Sequence, residues 1–398
     1  MGRSPAATRE QGAPILDNRS ILEERTKRLD ALTGLRWWAA FMVFLYHMLV
    51  FAPLPGVITT VFAQGYFGVT FFFVLSGFVL TWSARPGVSV STFYWRRFAR
   101  IWPAHMVALA LAIPVFYTLT TIPEGSFLKP FDFGILLLSV VLLQGWWNAP
   151  TILFSGNPAA WTLTCEAFFY ALHPWISRIL VRFSRRGALF FAAGVVACAF
   201  SYRLLVLLLP ASGLADLPTP VVRVTEFVLG MALAWAIRAG WRVRLSPLIG
   251  VGSMFITVFA IVFVSQYQID VPVVRHIPAF GNELFTLACA AAIVSLAQRG
   301  LAGKRSLFES KLQVSLGEWS FAFYLVHATF IYVALRIFGF QDPSWRNLAW
   351  FAALFAVDLI AAWALHSFVE RPVERRMRGW KDERDRRART RADVRNAG

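Results

Sequence analysis

Leu35-Arg-Trp-Trp-Ala-Ala-Phe-Met-Val-Phe-Leu-Tyr-His-Met-Leu-Val-Phe-Ala-Pro53 decides the fold class. An apolar run of ~20 residues at ~1.5 Å rise crosses the ~30 Å hydrocarbon layer of a bilayer. The chain repeats such runs at 66–84, 102–121, 133–147, 161–181, 188–209, 221–238, 247–266, 281–298, 319–338 and 348–368. Composition agrees: of 398 residues, 57% are hydrophobic and only 15% charged, with a mean hydropathy of +0.57. Soluble domains carry roughly a quarter charged residues. Disorder, an ordinary water-soluble enzyme and a nucleic-acid-binding domain are therefore excluded. The expected fold is an all-α polytopic membrane bundle.

The net charge of +17 does not signal nucleic acid. Arg and Lys cluster between apolar runs and in the tail from Arg371 to Arg395, as in cytoplasmic loops beside anionic lipid. Cys165, Cys198 and Cys289 each lie in an apolar run without C-x-x-C spacing, so neither a metal site nor a disulfide framework is indicated. The opening ~30 residues are too polar for a cleaved signal peptide. If 133–147 crossed, the arginines from Arg178 to Arg186 and every later cluster would be inverted. Treated as a non-crossing segment, all clusters fall inside. The expectation is ten full spans with both termini cytoplasmic: a flexible lead at 1–26, a membrane core at 27–376 and a basic tail at 377–398.

Ionisable groups are expensive in lipid and mark candidate sites. Arg36 and His47 are eleven residues apart, which places them on one helix face ~16 Å from each other. Counted from the span ends, Glu166 falls at the depth of His47. An imidazole beside a carboxylate is a general-base pair, the carboxylate fixing the tautomer; the plainer alternative is two buried, hydrogen-bonded side chains. Arg96, Arg97 and Arg100 open the third span near Arg36, forming a mouth suited to phosphate oxygens or simply obeying the positive-inside rule. Ser76, Tyr324 and His327 are possible cavity-lining residues. Ser76 lacks a nucleophile elbow and reads first as packing, with Gly68 and Gly77 allowing close helix approach.

Six stretches in order resemble the integral-membrane acyltransferase family 3. They are Arg36 and His47 after Arg28-Leu-Asp-Ala-Leu-Thr-Gly-Leu; Phe71-Phe-Phe-Val-Leu-Ser-Gly-Phe78; Arg96-Arg-Phe-Ala-Arg-Ile-Trp-Pro103; Trp161-Thr-Leu-Thr-Cys-Glu166; Gly317-Glu-Trp-Ser320 with Tyr324-Leu-Val-His327; and Glu370-Arg-Pro372. The resemblance spans about 28–376. It implies transfer of an acyl group, acetyl above all, from cytoplasmic acyl-CoA to a hydroxyl of a sugar-containing or small-molecule acceptor in a bacterial cell membrane. No bound cofactor is implied, acyl-CoA being a co-substrate. It implies His47 and Glu166 as catalytic residues and Arg36, Arg96, Arg97 and Arg100 as the acyl-CoA site. His105 departs from a Tyr common after the Arg-Ile-x-Pro motif, and Thr-Leu-Thr-Cys departs before Glu166. A rival reading is a proton-coupled transporter or flippase relaying protons through His47, Glu166 and His327.

Overall fold

The computed structural model describes residues 28–85, 87–119 and 127–397. The expected lead at 1–26 lies outside them. Long helices dominate: α1 (Asp30–Met48), α2 (Phe67–Trp82), α3 (Val90–Phe116), α4 (Trp161–Leu180), α5 (Arg185–Leu208), α6 (Thr219–Arg238), α7 (Pro247–Tyr267), α8 (Gly281–Leu301), α9 (Lys311–Phe338), α10 (Leu348–Ala364) and α11 (Arg371–Ala397). Among the described residues, one parallel pair of two-residue strands is the whole of the sheet structure. The protein is a polytopic helical membrane protein.

Among the described residues, eight helical stretches are long and apolar enough to cross a bilayer. α1 and α4 fall outside that set by composition, not by length: at 19 and 20 residues each reaches ~30 Å. Arg36, His47, Glu166 and His173 dilute their apolar content. Both of these helices carry candidate-site residues.

Where the sequence shows an apolar run at 133–147, the chain is broken. Helix Phe133–Val140 has eight residues, or ~12 Å, well short of the hydrocarbon layer. Leu142 then turns with φ of 60°, followed by a 3-10 turn at Gln144–Trp146. From there the chain dips inward: Gln144, Ser155 and Asn157 are fully buried, and Asn157 donates from Nδ2 to Leu325 O at 2.6 Å. α4 therefore starts inside the bundle.

Small residues let the central helices touch through their backbones. A Cβ on Gly77 of α2 would stand 1.9 Å from Phe227 O of α6, and one on Gly230 of α6 would stand 2.0 Å from Val74 O. Gly317 of α9 meets Thr33 O of α1 in the same way, and Gly68 of α2 meets Ala39 O. These contacts lock α1, α2, α6 and α9 into a core. α5 buries only Ala188 and Ala192 and sits at the perimeter.

The basic C-terminal stretch forms a helix against α3. A π-helical turn at Leu365–Glu370 leads into α11. The basic residues of α11 alternate with acids that tie it to α3: Arg96 pairs with Asp382 at 2.9 Å, Thr92 donates to Asp385 Oδ2 at 2.7 Å, and Trp95 Nε1 donates to Met377 O at 2.8 Å.

Candidate active site

α1 and α9 pack side by side and bring two imidazoles together. His47 Nδ1 lies 3.2 Å from His327 Nε2 and 2.9 Å from Val43 O. His327 Nδ1 lies 2.7 Å from Tyr324 O. Carbonyl oxygens only accept, so both Nδ1 atoms carry protons in the neutral pair. His327 Nε2 is then an acceptor for the His47 Nδ1–H, and His47 Nε2 keeps a free lone pair. His327 is fully buried, stacked on Phe323 at 6.3 Å, while His47 is partly exposed. The geometry is that of an oriented base: a buried group holds one ring nitrogen and the other is left to take a proton.

The carboxylate expected beside His47 is elsewhere. Glu166 lies in the field of Arg36, Arg100 and Arg97, and the Tyr170 hydroxyl links it to Ser76. Arg36, Glu166, Thr162 and Tyr324 line one cavity of about 40 Å³. The equal-depth argument fails because α4 starts within the bundle, below the inward dip of residues 144–160. Counting from its first residue overstated how near Glu166 comes to the His47 end. Ser76 hydrogen-bonds within this network, in line with a packing residue. Tyr324 lines the small cavity, and its hydroxyl lies 3.2 Å from both Thr162 Oγ1 and Ala159 O; its ring is 5.6 Å from that of His327.

The four-arginine mouth divides. Arg36 and Arg100 line a cavity of about 490 Å³ together with Arg28, Arg85 and Arg371. Arg96 and Arg97 line an adjoining cavity of about 620 Å³ with Arg178, Arg378 and His173, and Ser83 and Arg85 border both. Arg100 is also held by Glu370 and by Glu374, the latter at 3.2 Å. In the sequence Glu370-Arg-Pro372 stands only as a stretch of the family resemblance; the acid set against a candidate arginine is the signal for this contact. Glu370 also meets His366 Nδ1 at 3.2 Å, an i, i+4 pair on the π-helical turn.

Arg36 borders both the large cavity and the small one. The arginine-lined cavity and the small cavity of Glu166 and Tyr324 therefore meet at Arg36, and the Tyr324 ring lies 5.6 Å from that of His327. Two other buried polar groups lie apart from these residues. His105 is held by Ser139 O at 2.9 Å. Glu226 pairs with Arg223 at 3.0 Å and accepts from Asn282 Nδ2 at 2.9 Å.

Comparison with known proteins gives a coherent set. A family profile described as an acyltransferase domain matches residues 29–367. Acyltransferase MdmB of Streptomyces mycarofaciens is 35% identical over 377 residues, covering 88% of this chain and 93% of that protein. Peptidoglycan O-acetyltransferase OatA of Listeria monocytogenes is 25% identical, covering 90% of this chain and 58% of the longer relative. Nodulation protein 10 of Rhizobium leguminosarum is 30% identical over 138 residues, 32% of this chain and 38% of that protein. No solved structure matches.

Proposed function

The chain belongs to the integral-membrane acyltransferase family 3, and from that premise we propose that it moves a short acyl group, acetyl in the simplest case, from cytoplasmic acyl-CoA to a hydroxyl of a sugar-containing acceptor. The observation that carries the reading is the His47–His327 pair beside Tyr324, which lines a small cavity that meets the arginine-lined one at Arg36. The acceptor of OatA, peptidoglycan by its name, supports a sugar-containing acceptor here.

In this reading the ten long helices α1–α10 are ten spans. The arginine-rich ends face the cytoplasm, where Lys and Arg collect, and the membrane is the cell membrane. Arg28, Arg36, Arg85 and Arg371 receive the CoA phosphates by charge-assisted hydrogen bonds. Arg100 is already engaged by two carboxylates and shapes the cavity wall. The pantetheine arm follows the ~16 Å from Arg36 towards His47. The acceptor hydroxyl gives its proton to His47 Nε2 while its oxygen attacks the thioester carbonyl. A C–O bond forms, the C–S bond breaks, and the proton leaves with the CoA thiolate. His327 accepts from His47 Nδ1–H and steadies the imidazolium. Glu166 balances Arg36 and does not orient the base.

The test is single-turnover transfer in proteoliposomes with labelled acetyl-CoA and a glycoside acceptor. Acceptor heavier by one acyl unit, with free CoA released in equal amount, supports the reading. Transport of the glycoside with no covalent product would instead identify a transporter.

A further inference from the structure

α5, α6 and α8 enclose a further cavity that shares no lining residue with those above. It holds about 240 Å³ and is walled by apolar side chains, among them Val196, Phe200, Val221, Leu229 and Leu287. Its polar end is made by Asn282, Glu283 and Thr286 of α8. Asn282 is already committed: its Oδ1 accepts from Thr70 at 2.9 Å and from Arg223 at 2.6 Å, and its Nδ2 serves Glu226. Glu283 is not. Its Oε2 is buried with no hydrogen-bond partner in the protein, a costly state that a donor from a ligand would relieve.

Position gives this cavity a role. It opens beside α5, the helix with the least buried surface, and so towards lipid. It lies at the His47 end of the bundle. Phe67 of α2 stacks on Phe285 of α8 at 4.7 Å, Tyr66 follows at 4.4 Å from Phe67, Tyr46 at 6.0 Å from Tyr66, and His47 at 4.9 Å from Tyr46. Thr70 of α2 contacts the polar end of this cavity through Asn282, while its neighbours Val69 and Phe73 line the central cavity.

We infer that the cavity between α5, α6 and α8 binds the apolar part of an amphiphilic acceptor from the lipid side, with a hydroxyl of that acceptor donating to Glu283. This rests on the acyltransferase reading and specifies its acceptor as a molecule with a greasy body and a hydroxylated head. Donor and acceptor then approach from different directions: the donor through the arginine-lined cavity, the acceptor sideways at the His47 end.

The native chain carries its own reporter. Cys198 lines this cavity and is exposed, whereas Cys165 and Cys289 are buried. In proteoliposomes, an octyl glucoside bearing a diazirine in its chain is photolysed and the crosslinks are mapped by mass spectrometry. Unmodified octyl glucoside is tested for protection of Cys198 against a membrane-permeant maleimide. Crosslinks are expected on α5 and α8, with at least fivefold slower labelling of Cys198. Leu287→Trp, which fills the cavity, removes both, and Val196→Trp from the opposite wall repeats the result should Leu287→Trp misfold. Glu283→Ala weakens protection by the glucoside about tenfold and leaves protection by octane unchanged. Crosslinks spread evenly around the bundle, or unaltered in the filled variants, overturn the inference. Binding without acyl transfer by the wild type would defeat the acyltransferase reading alone. Undiminished transfer to octyl glucoside by both filled variants would defeat the inference alone.

Discussion

His327→Phe isolates the claim that one imidazole holds the other. The substitution keeps an aromatic ring in a fully buried site already stacked on Phe323. It removes one of the two acceptors of His47 Nδ1–H, the one at 3.2 Å, and leaves Val43 O at 2.9 Å. The ring therefore keeps its tautomer. What is lost is one hydrogen bond to a group that becomes charged as it takes the acceptor proton, worth ~1.5–3 kcal/mol. At 1.36 kcal/mol per decade this predicts a fall of about 10- to 150-fold in transfer rate. His47→Ala removes general-base catalysis outright and is expected to cost ~10²–10⁴-fold. The double variant should be no slower than His47→Ala, because the second imidazole acts only through the first. The assay is single-turnover transfer from labelled acetyl-CoA, with donor affinity measured separately. A His327→Phe enzyme at wild-type rate, or one whose loss multiplies with that of His47→Ala, would refute the orientation argument.

Arg36→Gln should raise the KM for acyl-CoA at least tenfold, since Arg36 borders both cavities, whereas Arg96→Ala, facing a different cavity and paired with Asp382, should stay within twofold; steady-state kinetics over a donor series separates them. Gly77→Val drives a side chain into a backbone oxygen at 1.9 Å, an overpacking cost of about 3 kcal/mol or more, and should lower the melting temperature in detergent well below that of Gly194→Val, where a Cβ meets nothing within 4 Å. Glu370→Gln leaves Arg100 with Glu374 as its one remaining carboxylate partner and should destabilise by ~3 kcal/mol, read as a shortened half-life on heating. Lys129, in the link ahead of helix Phe133–Val140, is pushed down to about 8 by burial. Its charged form is disfavoured in the folded state, so Lys129→Met should stabilise the protein at pH 7 and lose that advantage as pH rises through 8 towards the unfolded value near ~10.5.

Much of the bundle is legible in hydropathy, because crossing lipid leaves a chain few options. α1 and α4 were readable only because a span of adequate length tolerates a few polar groups that face inward. The broken segment around 133–147 followed from charge placement, since the apolar pattern alone there looks like another helix. Depth was the part that misled. Residue counting assumes that every span starts at the surface, and the inward dip at 144–160 sets α4 lower, carrying Glu166 to Arg36. The partner of His47 is His327, 280 residues along the chain, and no local spacing connects them. In the sequence it is a possible cavity-lining residue three positions after Tyr324 on the same helix. Arg96 pairs with Asp382 of α11 and Arg97 lines the adjoining cavity, neither of which the spacing of the cluster reveals.

The most direct test of the account is the rate of acyl transfer by His47→Ala in proteoliposomes, measured alongside acyl-CoA binding by the same preparation. Donor affinity within threefold of wild type, with transfer slowed at least a hundredfold, is the predicted result. Transfer at near the wild-type rate would show that the free Nε2 of His47 takes no proton in the reaction.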